Sequence, residues 1–66
     1  MLVEINGENR EILAGETISS LLKSLAIEPE RVAVELDRKI VKRAQWDETL
    51  LRDGAQLEIV QFVGGG

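Results

Sequence analysis

The sequence predicts an α+β fold in which one amphipathic helix packs across one face of a mixed β-sheet. Three observations carry that expectation. Two short apolar runs near the start are split by Asn6-Gly7. A single helical stripe follows at Ile18, Leu21, Leu22 and Leu25. After Pro29 the alternation returns, and it closes in the run QLEIVQFV.

Each element has a local reason. In LVEIN, residues 2–6, Val3 and Ile5 fall on one face of a strand, because side chains alternate with a period of two. Asn6-Gly7 is the strongest short signal for a hairpin turn. The next run, REIL, then reads as the second strand, with Ile12 pointing inward. Gly15-Glu16 breaks it, and Thr17 has the chemistry of a helix N-cap, a hydroxyl able to accept from an amide of the first turn. Ile18, Leu21, Leu22 and Leu25 stand at i, i+3, i+4 and i+7, which is one apolar stripe. Pro29 keeps the helix from continuing. Val32, Val34 and Leu36 alternate in a third strand, and Asp37-Arg38-Lys39 turns the chain into the apolar pair Ile40-Val41. Residues 42–49 show no period and are expected to wind irregularly over one end of the sheet, with Trp46 capping the core. Asp53-Gly54 is a further turn, and the last strand puts Leu57 and Ile59 on one face, Glu58, Val60 and Phe62 on the other.

A single four-residue stripe covers only one face of such a sheet, so the other face is left to solvent. Strand, strand, helix, strand, short strand, strand in this arrangement is a β-grasp, or ubiquitin-like, roll. The expected core is Val3, Ile5, Ile12, Ile18, Leu21, Leu22, Leu25, Val32, Val34, Leu36, Leu57 and Ile59. The expected division is one domain over residues 1–63 and a flexible glycine tail over 64–66.

The totals restrict function. The 66 residues carry twelve acidic and eight basic side chains, a net charge of −4, which opposes nucleic acid as a partner because phosphate neutralisation needs a basic surface. Trp46 and Phe62 are the sole aromatic residues, too few to stack bases. Cysteine and histidine are absent, which removes disulfides, the usual zinc sites and thiol nucleophiles. A catalytic role is therefore not expected, and neither is a cofactor or metal. No apolar run approaches the roughly 20 residues that span a bilayer, and MLVEINGEN does not read as a secretory signal. The expected location is cytoplasmic.

The terminal QFVGGG then asks for a chemical reading. A carboxylate is a poor acyl donor until adenylation turns one oxygen into a leaving group. Once activated, its carbonyl carbon can take a sulfur nucleophile. Glycine suits such a terminus, since a backbone without Cβ can approach a ligand closely and thread a narrow channel. Gly66 is then the candidate reactive residue, and Gly64 and Gly65 are the candidate part that threads. Val60 and Phe62, both on the open face, form a candidate docking patch with Ala33 as a small neighbour.

The order of elements, the Gly-Glu-Thr ahead of an Ile-x-x-Leu-Leu helix, and the terminal Gly-Gly together resemble the ThiS family, the sulfur carriers of thiamine biosynthesis. IVKRAQW (40–46) is similar to the family's Ile-Val-Pro-Arg-x-x-Trp/Tyr segment, and DGAQLEI (53–59) to its Asp-Gly-Asp-x-x-Glu-Ile turn and strand. Lys42 stands where the family usually has Pro, and Ala55 where it often has Asp. The resemblance spans the whole chain. It implies a protein co-substrate whose Gly66 carboxylate is adenylated by an ATP-dependent, E1-like enzyme. A persulfide-bearing protein then converts it to a thiocarboxylate, and sulfur passes to a thiazole synthase. The same chemistry also serves carriers for molybdopterin or tRNA thiolation, and a related terminus serves ubiquitin-like modifiers that end on lysine.

Overall fold

The computed structural model describes residues 1–62; Val63 and the glycines at 64–66, with the tail and the domain boundary expected there, lie outside the described residues. Five strands form one sheet: β1 (Leu2–Ile5), β2 (Glu8–Glu11), β3 (Val32–Leu36), β4 (Lys39–Ile40) and β5 (Gln56–Gln61). Their order across the sheet is β2-β1-β5-β3-β4. The central strand β5 runs parallel to β1 and antiparallel to β3, so the sheet is mixed as expected. Helix α1 (Ile18–Ser24) supplies the second layer.

The Asn6-Gly7 hairpin forms with positive φ at both residues, 50° and 85°. This matches the twist that two-residue hairpins require. The second strand begins earlier than the REIL run suggests. It occupies Glu8–Glu11, every residue of which is exposed, and Ile12 is buried just beyond it. The tight turn decides this: with only Asn6 and Gly7 in the loop, Ile5 must face Glu8.

Thr17 caps α1 as predicted, in a reciprocal pair. The Ser20 N–H donates to Thr17 Oγ1 at 3.1 Å, and the Thr17 N–H donates to Ser20 Oγ at 2.8 Å. The helix stops well before Pro29. Ala26 adopts φ 58°, the Ile27 N–H donates to Leu22 O at 2.9 Å and the Ala26 N–H to Lys23 O at 3.1 Å. That bond pair is the Schellman termination, here with alanine where glycine is usual.

The segment after β4 has no sequence period, yet it is firmly held. It contains a 3₁₀ turn over Arg43–Gln45. The carbonyls of Thr49 and Trp46 accept the Ile18 and Ser19 N–H groups, both at 3.2 Å, which satisfies amides that a helix start leaves without partners. The indole N–H of Trp46 donates to Val41 O at 2.8 Å, and the ring is buried.

The buried core contains Val3, Ile12, Ile18, Leu21, Leu22, Val32, Val34, Leu57 and Ile59, all expected, together with Trp46, Leu51 and Ala55. Ile5, Leu25 and Leu36 pack against it only partly buried. Ile5 and Leu36 end their strands and Leu25 ends the helix, so each lies at the margin of the covered layer. Among the described residues, no helix is long and apolar enough to cross a membrane.

Candidate functional site: the open sheet face at the end of β5

The site is built by the alternation of β5. Leu57 and Ile59 turn under α1 at 2% and 8% exposure, while Val60 and Phe62 stand at 56% and 61% on the opposite side. Val60 is directly opposite Ala33 of β3. Ala33, half-buried with only a methyl group, leaves the Val60 side chain without a tall neighbour. The three residues expected to form a docking patch are thus brought to one face.

Structure adds a fourth. The Asp37-Arg38 turn has positive φ at both residues, 51° and 70°, and sets Ile40 opposite Glu35. Ile40 therefore shares the face of Ala33 and is 75% exposed. From sequence alone Ile40-Val41 reads as a short apolar pair; the two-residue loop after Leu36, counted through in steps of two, is the signal that places Ile40 on this face. A shallow groove of about 380 Å³ runs here, lined by Ala33, Ile40, Lys42, Arg43 and Phe62 among others. A larger groove of about 520 Å³ between β2 and α1 includes no residue of β5.

Beside the ladder with β3, which runs to Gln61, side-chain and backbone contacts on both sides hold the C-terminal end of β5 to the domain. The strand β1 ends at Ile5, so the β1 side of β5 has no backbone partner beyond Leu57. The Asn6 side chain supplies one. Its Nδ2 donates to Ile59 O at 3.1 Å, and its Oδ1 accepts from the Ile59 N–H at 2.7 Å. On the other side, the Phe62 N–H donates to Arg31 O at 2.8 Å. The chain is anchored up to the residue before Val63. Gly64, Gly65 and Gly66, the expected reactive segment, lie outside the described residues.

One helix laid across a mixed five-stranded sheet, with an apolar patch on the far face at the end of β5, defines a ubiquitin-like β-grasp domain. The ThiS family model matches residues 3–66. The sulfur carrier protein ThiS of Escherichia coli (strain K12) is 30% identical over 66 residues, covering 100% of both chains. The crystal structure of a thiamine biosynthesis protein (ThiS) from Geobacter metallireducens superposes with a TM-score of 0.83 at 32% identity, again covering 100% of each chain. The chain belongs to the ThiS family, the small sulfur carriers of thiamine biosynthesis. It is also 41% identical over 66 residues to a thiazole synthase of Paramagnetospirillum magneticum, of which it spans 20%.

Proposed function

We propose that this chain carries sulfur for thiamine thiazole synthesis as a thiocarboxylate on Gly66. An ATP-dependent adenylating enzyme converts the Gly66 carboxylate to an acyl-adenylate with loss of pyrophosphate. The terminal sulfur of a protein persulfide attacks the activated carbonyl carbon and AMP departs, leaving an acyl disulfide. A second thiol then attacks the donor's sulfur, which breaks the S–S bond, forms a disulfide on the donor side and releases the thiocarboxylate. The thiocarboxylate then delivers its sulfur on a thiazole synthase. Gly64 and Gly65 thread the partner's channel, where a side chain would meet the walls. Val60, Phe62 and Ala33 dock the domain so that the tail enters. The chain itself performs no bond-making step.

The observation that carries the reading is the pairing of a buried and an open face on β5, the strand that leads directly into VGGG. A carrier must give its partner a grip that is separate from its own core, and the Val60–Ala33–Phe62 side offers one. The identity to a thiazole synthase over the whole of this chain supports the second partner, since that relative's length includes a carrier-like segment.

Pyrophosphate exchange with the adenylating enzyme and ATP tests the reading. Removing Gly66, or adding one residue after it, is expected to abolish exchange and leave the melting temperature unaltered. Gly65→Val should suppress exchange more than Gly64→Ala. Normal exchange from an extended chain would show that the Gly66 carboxylate is not the substrate. Mass spectrometry of protein from its own host should then find sulfur in place of oxygen at the terminus, rather than a lysine adduct.

A further inference from the structure

The hairpin that braces β5 also carries a reactive pair. Asn6 is followed by Gly7, and a glycine nitrogen can approach the preceding amide carbon closely because no Cβ stands in the way. The space around Gly7 is open: a Cβ built there would meet nothing within 4 Å. Among the described residues its N–H meets no backbone acceptor. Asn6 is exposed, so water reaches it. What keeps the two atoms apart is the fold. Asn6 Nδ2 and Oδ1 are both bonded to the Ile59 backbone, at 3.1 and 2.7 Å, which fixes Cγ against β5. The amide cannot swing onto Gly7 N until both bonds break. The comparable positions differ. At Asp53-Gly54 the Gly54 N–H donates to Leu2 O at 2.7 Å and Asp53 Oδ1 accepts from the Leu2 N–H at 2.8 Å, so nucleophile and carboxylate are both engaged. Asn9, the other asparagine, precedes Arg10, whose Cβ crowds the same attack.

We infer that Asn6 is a deamidation site, gated by release of β5 from the hairpin. When the bonds to Ile59 open, Gly7 N attacks Asn6 Cγ. Its proton ends on the side-chain nitrogen, which leaves as ammonia, and a succinimide ring remains. Water then adds at one of the two ring carbonyl carbons and breaks its bond to Gly7 N. Cleavage at Cγ gives aspartate. Cleavage at the α-carbonyl gives isoaspartate, with the main chain rerouted through the former side chain. Either product has a carboxylate in place of the amide donor. Aspartate sets a negative oxygen against Ile59 O, and isoaspartate adds a methylene to a two-residue loop whose length fixes the register. The brace does not re-form, and the end of β5 that leads into VGGG loses one of its supports. The positive φ at both turn positions favours Asn-Gly, and the bonds to Ile59 are what make that choice durable. The chemistry is independent of the carrier reading.

Peptide mapping by mass spectrometry tests this on the whole chain, incubated at one mildly alkaline pH in buffer and in roughly 6 M guanidinium. Conversion is read as replacement of the amide NH₂ by OH, with Asn6→Asp as the marker that separates aspartate from isoaspartate by elution. Asn6 should convert about 10–100-fold more slowly in buffer than in denaturant, the factor being set by how seldom the end of β5 opens. In denaturant Asn9 should lag well behind Asn6. Hydrogen exchange of the Ile59 N–H should show protection within about threefold of that at Asn6, because one opening exposes both. The purified converted chain should melt about 5–20 °C below the parent. Equal rates in buffer and denaturant would show that the Ile59 bonds do not gate the reaction. Asn6 left intact in buffer over about a hundred denatured-state half-lives also overturns the inference. So does a converted chain that melts with the parent. Conversion of Asn9 as fast as Asn6 in denaturant would remove the role assigned to Gly7.

Discussion

Adjacent residues of β5 share a strand, a chemical class and a place next to the tail, yet Ile59 and Val60 belong to different parts of the protein. Ile59 is 8% exposed beneath the helix layer and Val60 is 56% exposed on the bare face. Ile59 is further tied to Asn6 through both of its backbone groups, while the Val60 side chain looks across at a methyl group. The contrast shows that an apolar residue's task is set by strand parity rather than by its hydrophobicity. One side holds the domain together; the other is free to be held by something else.

The sharpest way to break that contrast is to place the same charge on both sides. Ile59→Asp should unfold the domain, because an unpaired carboxylate cannot stay ionised in the core without a large desolvation cost. Val60→Asp should leave stability within about 0.5 kcal/mol, as exposed substitutions usually do, but raise KM in pyrophosphate exchange by about tenfold or more through burial of the charge against an apolar partner. Thermal melts and exchange kinetics on the two variants are read side by side. Equal effects of the two substitutions on folding would erase the distinction.

Leu22→Ala examines the covered side alone. Leu22 is 0% exposed, and truncation of such a leucine costs about 2–5 kcal/mol. A domain of this size has a total stability of roughly 3–10 kcal/mol, so denaturant titration should show a transition midpoint lowered by a large fraction of the parent's. Wild-type stability would remove Leu22 from the centre of the core.

How far the sequence discloses this molecule depends on whether a residue sits in a regular element. The stripe from Ile18 to Leu22 and the alternations of β3 and β5 were readable because a fixed period points side chains in known directions. Trp46 was expected to cap the core and does; Leu51 and Ala55 were harder. The backbone between β4 and β5 has no single period; it is positioned by long-range bonds such as the Leu51 N–H donating to Glu16 O at 2.9 Å. The neighbouring of β1 and β5 was equally hidden, since strands from opposite ends of the chain pair through contacts that no local window contains. For the candidate site, parity revealed Val60 and Phe62, and the glycines announced the terminus. The Asn6 brace on Ile59 was invisible, because Asn6-Gly7 reads completely as a turn and gives no hint that its amide has a second use.

That brace can be tested without altering the turn. Asn6→Asp keeps the shape, the tolerance for positive φ and the acceptor for the Ile59 N–H, but sets a second carboxylate oxygen against Ile59 O in place of a donor. The expected loss at neutral pH is about 1–3 kcal/mol. Protonation restores a donor, so the aspartate's folded-state pKa should lie above its unfolded value. The variant's stability deficit against the parent is then smallest at pH below the ordinary carboxylate range and grows as pH rises through the folded pKa. Melting curves across that range decide it. A deficit that does not change with pH would mean that the amide's donor function is not what matters.

The smallest expected effect concerns the end of the helix that creates the covered face. Ala26 holds φ 58° so that the Ile27 and Ala26 N–H groups can reach Leu22 O and Lys23 O. A left-handed conformation costs a residue with a Cβ about 1–2 kcal/mol, and glycine escapes that cost while losing part of the gain to its freer unfolded chain. Ala26→Gly should therefore stabilise the domain by about 0.5–1 kcal/mol, a rise in melting temperature of about 2–8 °C. Because Ala26 follows the C-cap of α1 and is not on the open sheet face, KM and rate in pyrophosphate exchange should match the parent. A stabilised variant with altered exchange would mean that the two sides of the sheet are coupled through the helix end, and the division drawn at Ile59 and Val60 would no longer hold.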